Sequence, residues 1–212
     1  MDHLQTGALD IHAGGDIRLV ATKIDTGDDL SLVAGGNIDY LAAHHESYEH
    51  DESHTRKSLF GVFTYGRSST SHTASGQTAL VTSLQSAADV FSYSTADTTL
   101  EGTRIVADAG KVQVLAGQNL DIRAAGNTSF VEDKAQSWSL VGNNIGYALN
   151  HKVKDETSTS TTTLTGAHLA GNSVELVAGG NAHLVATTLL GQTGVTVMAG
   201  GTVLIESGQE TF

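Results

Sequence analysis

The stretch Leu30-Ser31-Leu32-Val33-Ala34-Gly35-Gly36-Asn37-Ile38-Asp39-Tyr40 decides the fold of this chain. Apolar residues recur at every second position on both sides of the Gly-Gly pair, and a period of two is typical of a β-strand with one buried face. Glycine followed by asparagine tolerates a left-handed backbone and favours a tight turn. The stretch therefore predicts two short strands joined at a sharp corner.

The Ala-Gly-Gly tripeptide of this stretch recurs with a fixed period. Ala13 and Ala34 are 21 residues apart, and so are Ala178 and Ala199. Pairs of apolar residues stand at the same two offsets before each copy and before the variant that begins at Ala116: Leu9/Ile11, Leu30/Leu32, Val112/Val114, Val174/Leu176 and Val195/Val197. Such self-similarity is the sequence signature of a solenoid.

Each coil has three predicted sides. A second alternating run begins eight residues after the first, a third apolar position follows seven residues later at Ile24, and the next coil starts six residues after that. Stacked coils of this kind pair their strands in parallel and bury one continuous core. The predicted fold is all-β, a right-handed parallel β-helix, with the hand taken from the general preference for right-handed crossovers.

Asp16, Asn37 and Asn181 follow the Gly-Gly pairs of three coils. We expect stacking to place these turn residues in one column. The whole chain, residues 1–212, is then a single β-helix domain.

Two insertions interrupt the repeat, at about 44–78 and about 127–163. Each has a charged start, an aromatic middle and a Ser/Thr-rich end, and the offset of 82 to 83 residues between Ala34, Ala116 and Ala199 suggests duplication. The alternating Ser/Thr tails favour β-structure, so we expect β-hairpins that extrude from the solenoid or pack on it. Partial disorder is the alternative.

The composition limits the functions that are open to the chain. Its 24 glycines, absence of proline and cysteine and low aromatic content suit a narrow core with frequent turns. A formal net charge of −12 opposes binding to nucleic acid, which we exclude as a partner. No sequence pattern calls for a cofactor.

The chain contains candidate residues for metal binding and for catalysis, but a structural explanation is preferred for both. His44, His45, His50 and His54 are candidate metal ligands, but they lie in an insertion without a helical pattern, so a solvated segment is the preferred interpretation. A carbohydrate-active β-helix enzyme is the alternative class. Because Asp10 is replaced by Ser31 one coil later, no column of acidic residues persists, and we expect no catalytic residues.

Exposed apolar side chains indicate an interaction surface. Outward positions of the strands carry apolar residues where a solvated solenoid normally has polar ones, among them Val33, Leu115 and Met198. The insertions add aromatic candidates for contact with a partner: Phe60, Phe63, Tyr65, Trp138 and Tyr147.

The repeated Leu-Val-Ala-Gly-Gly-Asn strands, the segments His45-Glu46-Ser47 and Ser58-Leu59-Phe60-Gly61, and the Ser/Thr-rich tail resemble the haemagglutinin repeats of filamentous-haemagglutinin-type exoproteins. The resemblance covers nearly the whole chain. The second insertion departs from it, with Asn127-Thr128-Ser129 where His-Glu-Ser would fall.

This resemblance implies a fragment of a larger protein made by two-partner secretion, exported through an outer-membrane β-barrel transporter and displayed at the bacterial surface. It implies a structural stalk or delivery segment, either of a contact-dependent growth inhibition toxin or of a haemagglutinin-type adhesin. In the first case the target-cell outer membrane is a further partner, and in the second a host glycan or protein.

Overall fold

The computed structural model describes residues 3–59, 63–143, 146–149 and 153–211, and every regular element within these ranges is a β-strand. The strands are β1 (His3–Thr6), β2 (Leu9–Ala13), β3 (Ile17–Val20), β4 (Lys23–Thr26), β5 (Leu30–Ala34), β6 (Ile38–Leu41), β7 (Ala43–Leu59), β8 (Phe63–Leu80), β9 (Ser83–Ser86), β10 (Val90–Ser94), β11 (Thr98–Glu101), β12 (Arg104–Ala107), β13 (Val112–Ala116), β14 (Leu120–Arg123), β15 (Ala125–Asn143), β16 (Gly146–Leu149), β17 (Val153–Thr165), β18 (His168–Ala178), β19 (Ala182–Val185), β20 (Thr188–Ala199) and β21 (Val203–Glu206).

The short strands form three parallel sides, as the sequence predicts. The first side stacks in the order β2-β5-β10-β13-β18-β20, and the second in the order β3-β6-β11-β14-β19-β21. The third side runs β1-β4-β9-β12 and continues into β18 and β20, which bend from the third side into the first without a break. The prediction of an all-β parallel β-helix is confirmed, while its right-handed sense stays a prediction.

Six coils share one core of small apolar side chains. Leu32, Val114 and Leu176 occupy equivalent positions on the first-side strands β5, β13 and β18, and all three are fully buried. On the second side Ile38, Leu120 and Ala182 are buried in the same way. In the first and last coils the inward side chains stack on one neighbour only, and Ile205 is accordingly 67% exposed.

The third coil, residues 83–101, has buried hydroxyl groups among its apolar core residues, which the 21-residue pattern did not reveal. Ser92 stands where its neighbours have Leu32 and Val114, and it is fully buried. Its hydroxyl lies 2.7 Å from the Tyr40 hydroxyl, and the Ser94 and Thr98 hydroxyls lie 2.7 Å apart. Since each buried hydroxyl has a partner, the coil keeps the stack continuous without an apolar side chain at these positions.

A column of Asp and Asn side chains joins the turns that follow the first side. In each step the side-chain Oδ1 of one coil accepts a hydrogen bond from the backbone N–H of the next coil, over 2.7 to 3.1 Å. The column runs Asp16, Asn37, Asp97, Asn119 and Asn181 and ends on the N–H of Thr202. The expected column of turn residues is confirmed, and it includes two residues that the pattern had not singled out.

The corner after the second side needs a left-handed residue wherever the coil closes directly. Ala21, Gly102 and Ala186 occupy this position with φ of 47°, 58° and 50°. After β6 and β14, the second-side strands of the second and fourth coils, the chain instead enters β7 and β15. The two insertions therefore leave from the same corner, two coils apart.

Both insertions are β-hairpins, as one of the two sequence-based alternatives predicts. Strand β8 pairs with β7, and β15 pairs with both β16 and β17. The two hairpins also pair with each other, because β8 and β15 form an antiparallel ladder from Gln77↔Thr128 to Gly66↔Ser139. The result is one sheet, called here the excursion sheet, whose residues Glu46–Gln77 and Thr128–Thr162 form a compact unit separate from that of the coils.

Candidate interaction surfaces

An apolar stripe runs along the outer face of the first side. The β-ladders align Val33, Tyr93, Leu115, Val177 and Met198 on five consecutive coils, with His12 in the first coil. Val33, Leu115 and Val177 are half-buried between their neighbours, whereas Tyr93 is 37% and Met198 48% exposed. Five aligned apolar side chains form the longest outward apolar column that the described strands present.

The outer face of the second side carries charged pairs instead of a continuous apolar column. His183 lies between two carboxylates, with Nε2 2.9 Å from Glu206 and Nδ1 3.3 Å from Asp121. The hydrogen bond to Glu206, with help from Asp121, raises the pKa of His183 above its ordinary value. Arg123 lies 3.4 Å from Glu101 on the same face. These pairs are exposed, so we expect each to contribute little to stability.

The excursion sheet carries a second acid–histidine cluster at the joint between its two hairpins. His72 of β8 stands opposite Asp133 of β15, and its Nδ1 lies 2.6 Å from the Asp133 carboxylate. This hydrogen bond is the main reason why the pKa of His72 is raised, and the negative charges of Glu49 and Asp51 on β7 act in the same direction. The imidazole ring is thus hydrogen-bonded to β15 and feels the negative charges of β7.

The four candidate metal ligands lie on β7, and three of them have separate partners. His44 contacts the Gly126 carbonyl at 3.2 Å, His50 the Thr73 hydroxyl at 2.9 Å and His54 the Glu52 carboxylate at 3.1 Å, while His45 is exposed. An extended strand advances about 3.4 Å per residue, so His44 and His50 are about 20 Å apart along β7. Among the described residues, no three acidic or histidine side chains are grouped closely enough to hold a metal ion.

Trp138 is the one aromatic candidate for partner contact whose side chain the structure describes. Trp138 lies on β15 opposite Arg67 and is 36% exposed. Phe63 and Tyr65 belong to β8 and Tyr147 to β16, but their side chains, like the whole of Phe60, lie outside the described part of the chain. Their role as contact residues stays a prediction.

Two structural features were missed by reasoning from the sequence. Residues 83–101 were not recognised as a coil, although their spacing from the neighbouring coils, Val90 to Val112, is close to the repeat length. The direct pairing of β8 with β15 was also missed. The 82-residue offset of two similar hairpins was a usable signal, because hairpins that leave one corner two coils apart are close enough to pair.

Comparison with known families agrees with this architecture. Two overlapping segments, residues 3–140 and 137–212, match the family described as hemagglutinin repeat. Together they span nearly the whole chain, so the chain belongs to the hemagglutinin-repeat family. The family makes it a segment of the filamentous-haemagglutinin-like type found in secreted exoproteins, and such segments are structural or adhesive.

Neither a curated protein nor a solved structure matches the chain. Within the part of the chain that the structure describes, there is no helix of the length and apolar character needed to cross a membrane.

Proposed function

We propose that this chain is a rigid stalk segment of a secreted bacterial surface protein, which holds a terminal functional domain away from the cell and helps to deliver it. The observation that carries the proposal is the unbroken stack of six coils, joined by one apolar core and by the Asp/Asn column. Packing and hydrogen bonds between all neighbouring coils resist bending and stretching, which is what a spacer requires.

The chemistry of the chain also suits export before folding. A chain without cysteine cannot be trapped by disulfides, and one without proline has no slow prolyl isomerisation. Each coil contacts only its neighbours, so folding can propagate from the end that emerges first. An outer-membrane β-barrel transporter is the proposed export partner, and the bacterial surface the proposed location.

An in-register deletion tests the stalk function. Removal of residues 42–123 from the surface protein that contains this segment joins two equivalent corners, the ends of β6 and β14. It takes out two coils and one hairpin while every remaining coil keeps a complete set of sides, and Tyr40→Leu accompanies it because Leu176 then takes the place of Ser92 beside this side chain. We expect export to persist and delivery, or attachment to target cells, to fall because the stalk is shorter.

Length compensation provides the control. A second copy of residues 124–206 added to the deleted protein restores the number of coils with a different sequence. A stalk should regain its activity, because reach depends on length and not on the identity of the repeat. If delivery or attachment does not change after the deletion, or does not recover when the second copy is added, the proposed stalk function is contradicted.

The second candidate function is adhesion, and the exposed apolar stripe of the first side favours it. A receptor-binding stripe should lose affinity when Tyr93→Ser and Met198→Ser replace its two most exposed members without shortening the stack. Unchanged attachment of cells carrying both substitutions would argue against adhesion through this stripe, whether the receptor is a glycan or a protein.

A further inference from the structure

The two hairpins are joined by the pairing of β15 with β8. The first contacts of that pairing recur at the outer edge of β17, where they end after one residue pair. At the joint between the two hairpins, the Ala79 N–H donates to the Asn127 side-chain oxygen over 2.8 Å. Asn127 is the fourth residue after β14, and Ala79 the fourth residue before β9. Thr128, the next residue of the outgoing strand, then pairs with Gln77.

The same contacts recur where the chain leaves the last second-side strand. The Leu164 N–H donates to the Glu210 carboxylate over 3.0 Å. Glu210 is the fourth residue after β21, and Leu164 the fourth residue before β18. Thr211 then pairs with Thr162 in an antiparallel bridge, with backbone hydrogen bonds of 2.7 Å and 3.1 Å. Position for position, Thr211 on β17 corresponds to Thr128 on β8.

Beyond this bridge, the edge of β17 is open in the described structure, and its segment next to the bridge carries no charged residue. Edge strands are normally blunted by charges, proline or bulges, since their free N–H and C=O groups attract other strands. From Thr157 to Thr163, β17 reads only Ser and Thr, and threonine favours β-structure. The opposite edge of the sheet, β7, carries charged residues along most of its length, including Glu46, Glu49 and Asp51.

We propose that the edge of β17 accepts the outgoing strand of a further hairpin of the same repeat type, continuing from Thr211 in the register that β15 adopts on β8. One repeat adds two strands to each side of the solenoid and one hairpin, also of two strands, to the excursion sheet. Both therefore grow by the same number of strands, each spaced by about 4.8 Å. The hairpins of successive repeats then build one continuous antiparallel sheet.

The bridge also identifies which amides the new strand must cover. The Thr162 N–H points to Thr211, and successive residues of a strand point in opposite directions, so the Ser160 and Ser158 N–H groups face the same open edge. Those of Thr159 and Thr161 face β15 and serve as internal references.

The test extends the full chain by a second copy of residues 130–165 placed after Phe212, and measures amide hydrogen exchange. We expect exchange at Ser158 and Ser160 to slow by about tenfold or more relative to the unextended chain, with Thr159 and Thr161 unchanged. An extension of the same composition in scrambled order is the matched control and should give no protection.

A proline substitution makes the test specific to the edge. Ser160→Pro removes one outward N–H without removing a hydrogen bond to β15, so the unextended variant should keep its stability. In the extended chain the same change should abolish the protection gained at Ser158. The proposal fails if exchange at Ser158 and Ser160 is the same with and without the extension. It also fails if these amides become protected in the unextended chain as its concentration rises, because the occupant is then a second copy.

Discussion

At the residue scale, a large buried side chain in one coil of this β-helix is matched by a small one in the next coil. Tyr40 is the largest fully buried side chain among the residues whose burial the structure describes, and it reaches across the core to Ser92, one of the smallest. Burial raises the pKa of the Tyr40 phenol, which therefore stays protonated and keeps its hydrogen bond to Ser92. The small serine thus leaves room for the tyrosine ring, although the repeat pattern alone favours an aliphatic residue there.

We therefore expect Ser92→Leu to destabilise the protein, although it restores the apolar pattern of Leu32 and Val114. The larger side chain has to displace the Tyr40 ring, at a cost of about 1–3 kcal/mol. Tyr40→Leu in the same chain should recover most of the loss, because it vacates the space. Urea unfolding of the two single variants and the double variant measures both effects, and a neutral Ser92→Leu would refute the size balance.

The left-handed corner after β19 provides a second residue-scale prediction. Ala186 has φ of 50°, where a side chain costs about 1–2 kcal/mol. Glycine removes this strain, and its greater freedom in the unfolded chain offsets part of the gain. Ala186→Gly should thus raise the free energy of unfolding by about 0.5–1 kcal/mol. Ala170→Gly, at an extended position of β18, is the control and should lower it. A loss at both sites would show that the corner is not strained.

At the element scale, the Asp/Asn column ties each coil to the next. Asn119 accepts from the Asn181 N–H and donates to Asp97, over 3.0 Å in both cases. Asn119→Ala removes both hydrogen bonds and should cost about 1–2 kcal/mol. Gln118→Ala, at the neighbouring exposed turn residue, should cost under about 0.5 kcal/mol. Thermal melting compares the two variants, and equal midpoints would mean that the column contributes nothing.

The joint between the hairpins should respond to pH through His72. Its pKa is raised in the folded protein, so the pair with Asp133 stabilises the joint below the ordinary histidine pKa, and this stabilisation is lost as the pH rises through the raised value. Asp133→Asn should bring the pKa of His72 back towards its ordinary range. An NMR titration of the His72 ring measures the shift.

Asp108→Asn is the control for this titration, because Asp108 lies on the coils and contacts Gln85 rather than His72. It should leave the pKa of His72 unchanged. If Asp133→Asn also leaves the pKa of His72 unchanged, the Asp133 carboxylate is not the group that raises this pKa.

At the scale of the whole molecule, the two compact units differ in how much they bury. The coils enclose fully buried leucine, isoleucine and valine side chains, whereas Gly66 is the only buried residue among those of Glu46–Gln77 and Thr128–Thr162 whose burial the structure describes. Trp138, the single tryptophan, reports on that sheet. We expect its fluorescence to change at lower urea concentration than the main far-UV circular dichroism transition. Early loss is the behaviour of hairpins that extrude from the solenoid, and coincident transitions would favour hairpins that pack on it.

The sequence by itself determined the coil and the position of the hairpins. Residues such as Leu30, Leu32 and Gly35 reveal the coil because its strands and corners depend on neighbours only a few positions away. A Cβ on Gly35 would overlap the Gly14 carbonyl oxygen of the coil before it, so the close stacking of these two turns favours glycine at this position. The periodicity of residues 9–42 therefore already contains the geometry of the stack.

Only the tertiary structure decided the interior of the third coil and the joining of the two hairpins. Ser92 is acceptable in the core because Tyr40, 52 positions earlier in the chain, fills the space and takes its hydrogen bond. His72 and Asp133 meet because two hairpins leave the same corner two coils apart. Both features are contacts between residues that are distant in sequence. A repeat pattern shows which residue types recur at equivalent positions, but it does not show which distant residue a given side chain contacts.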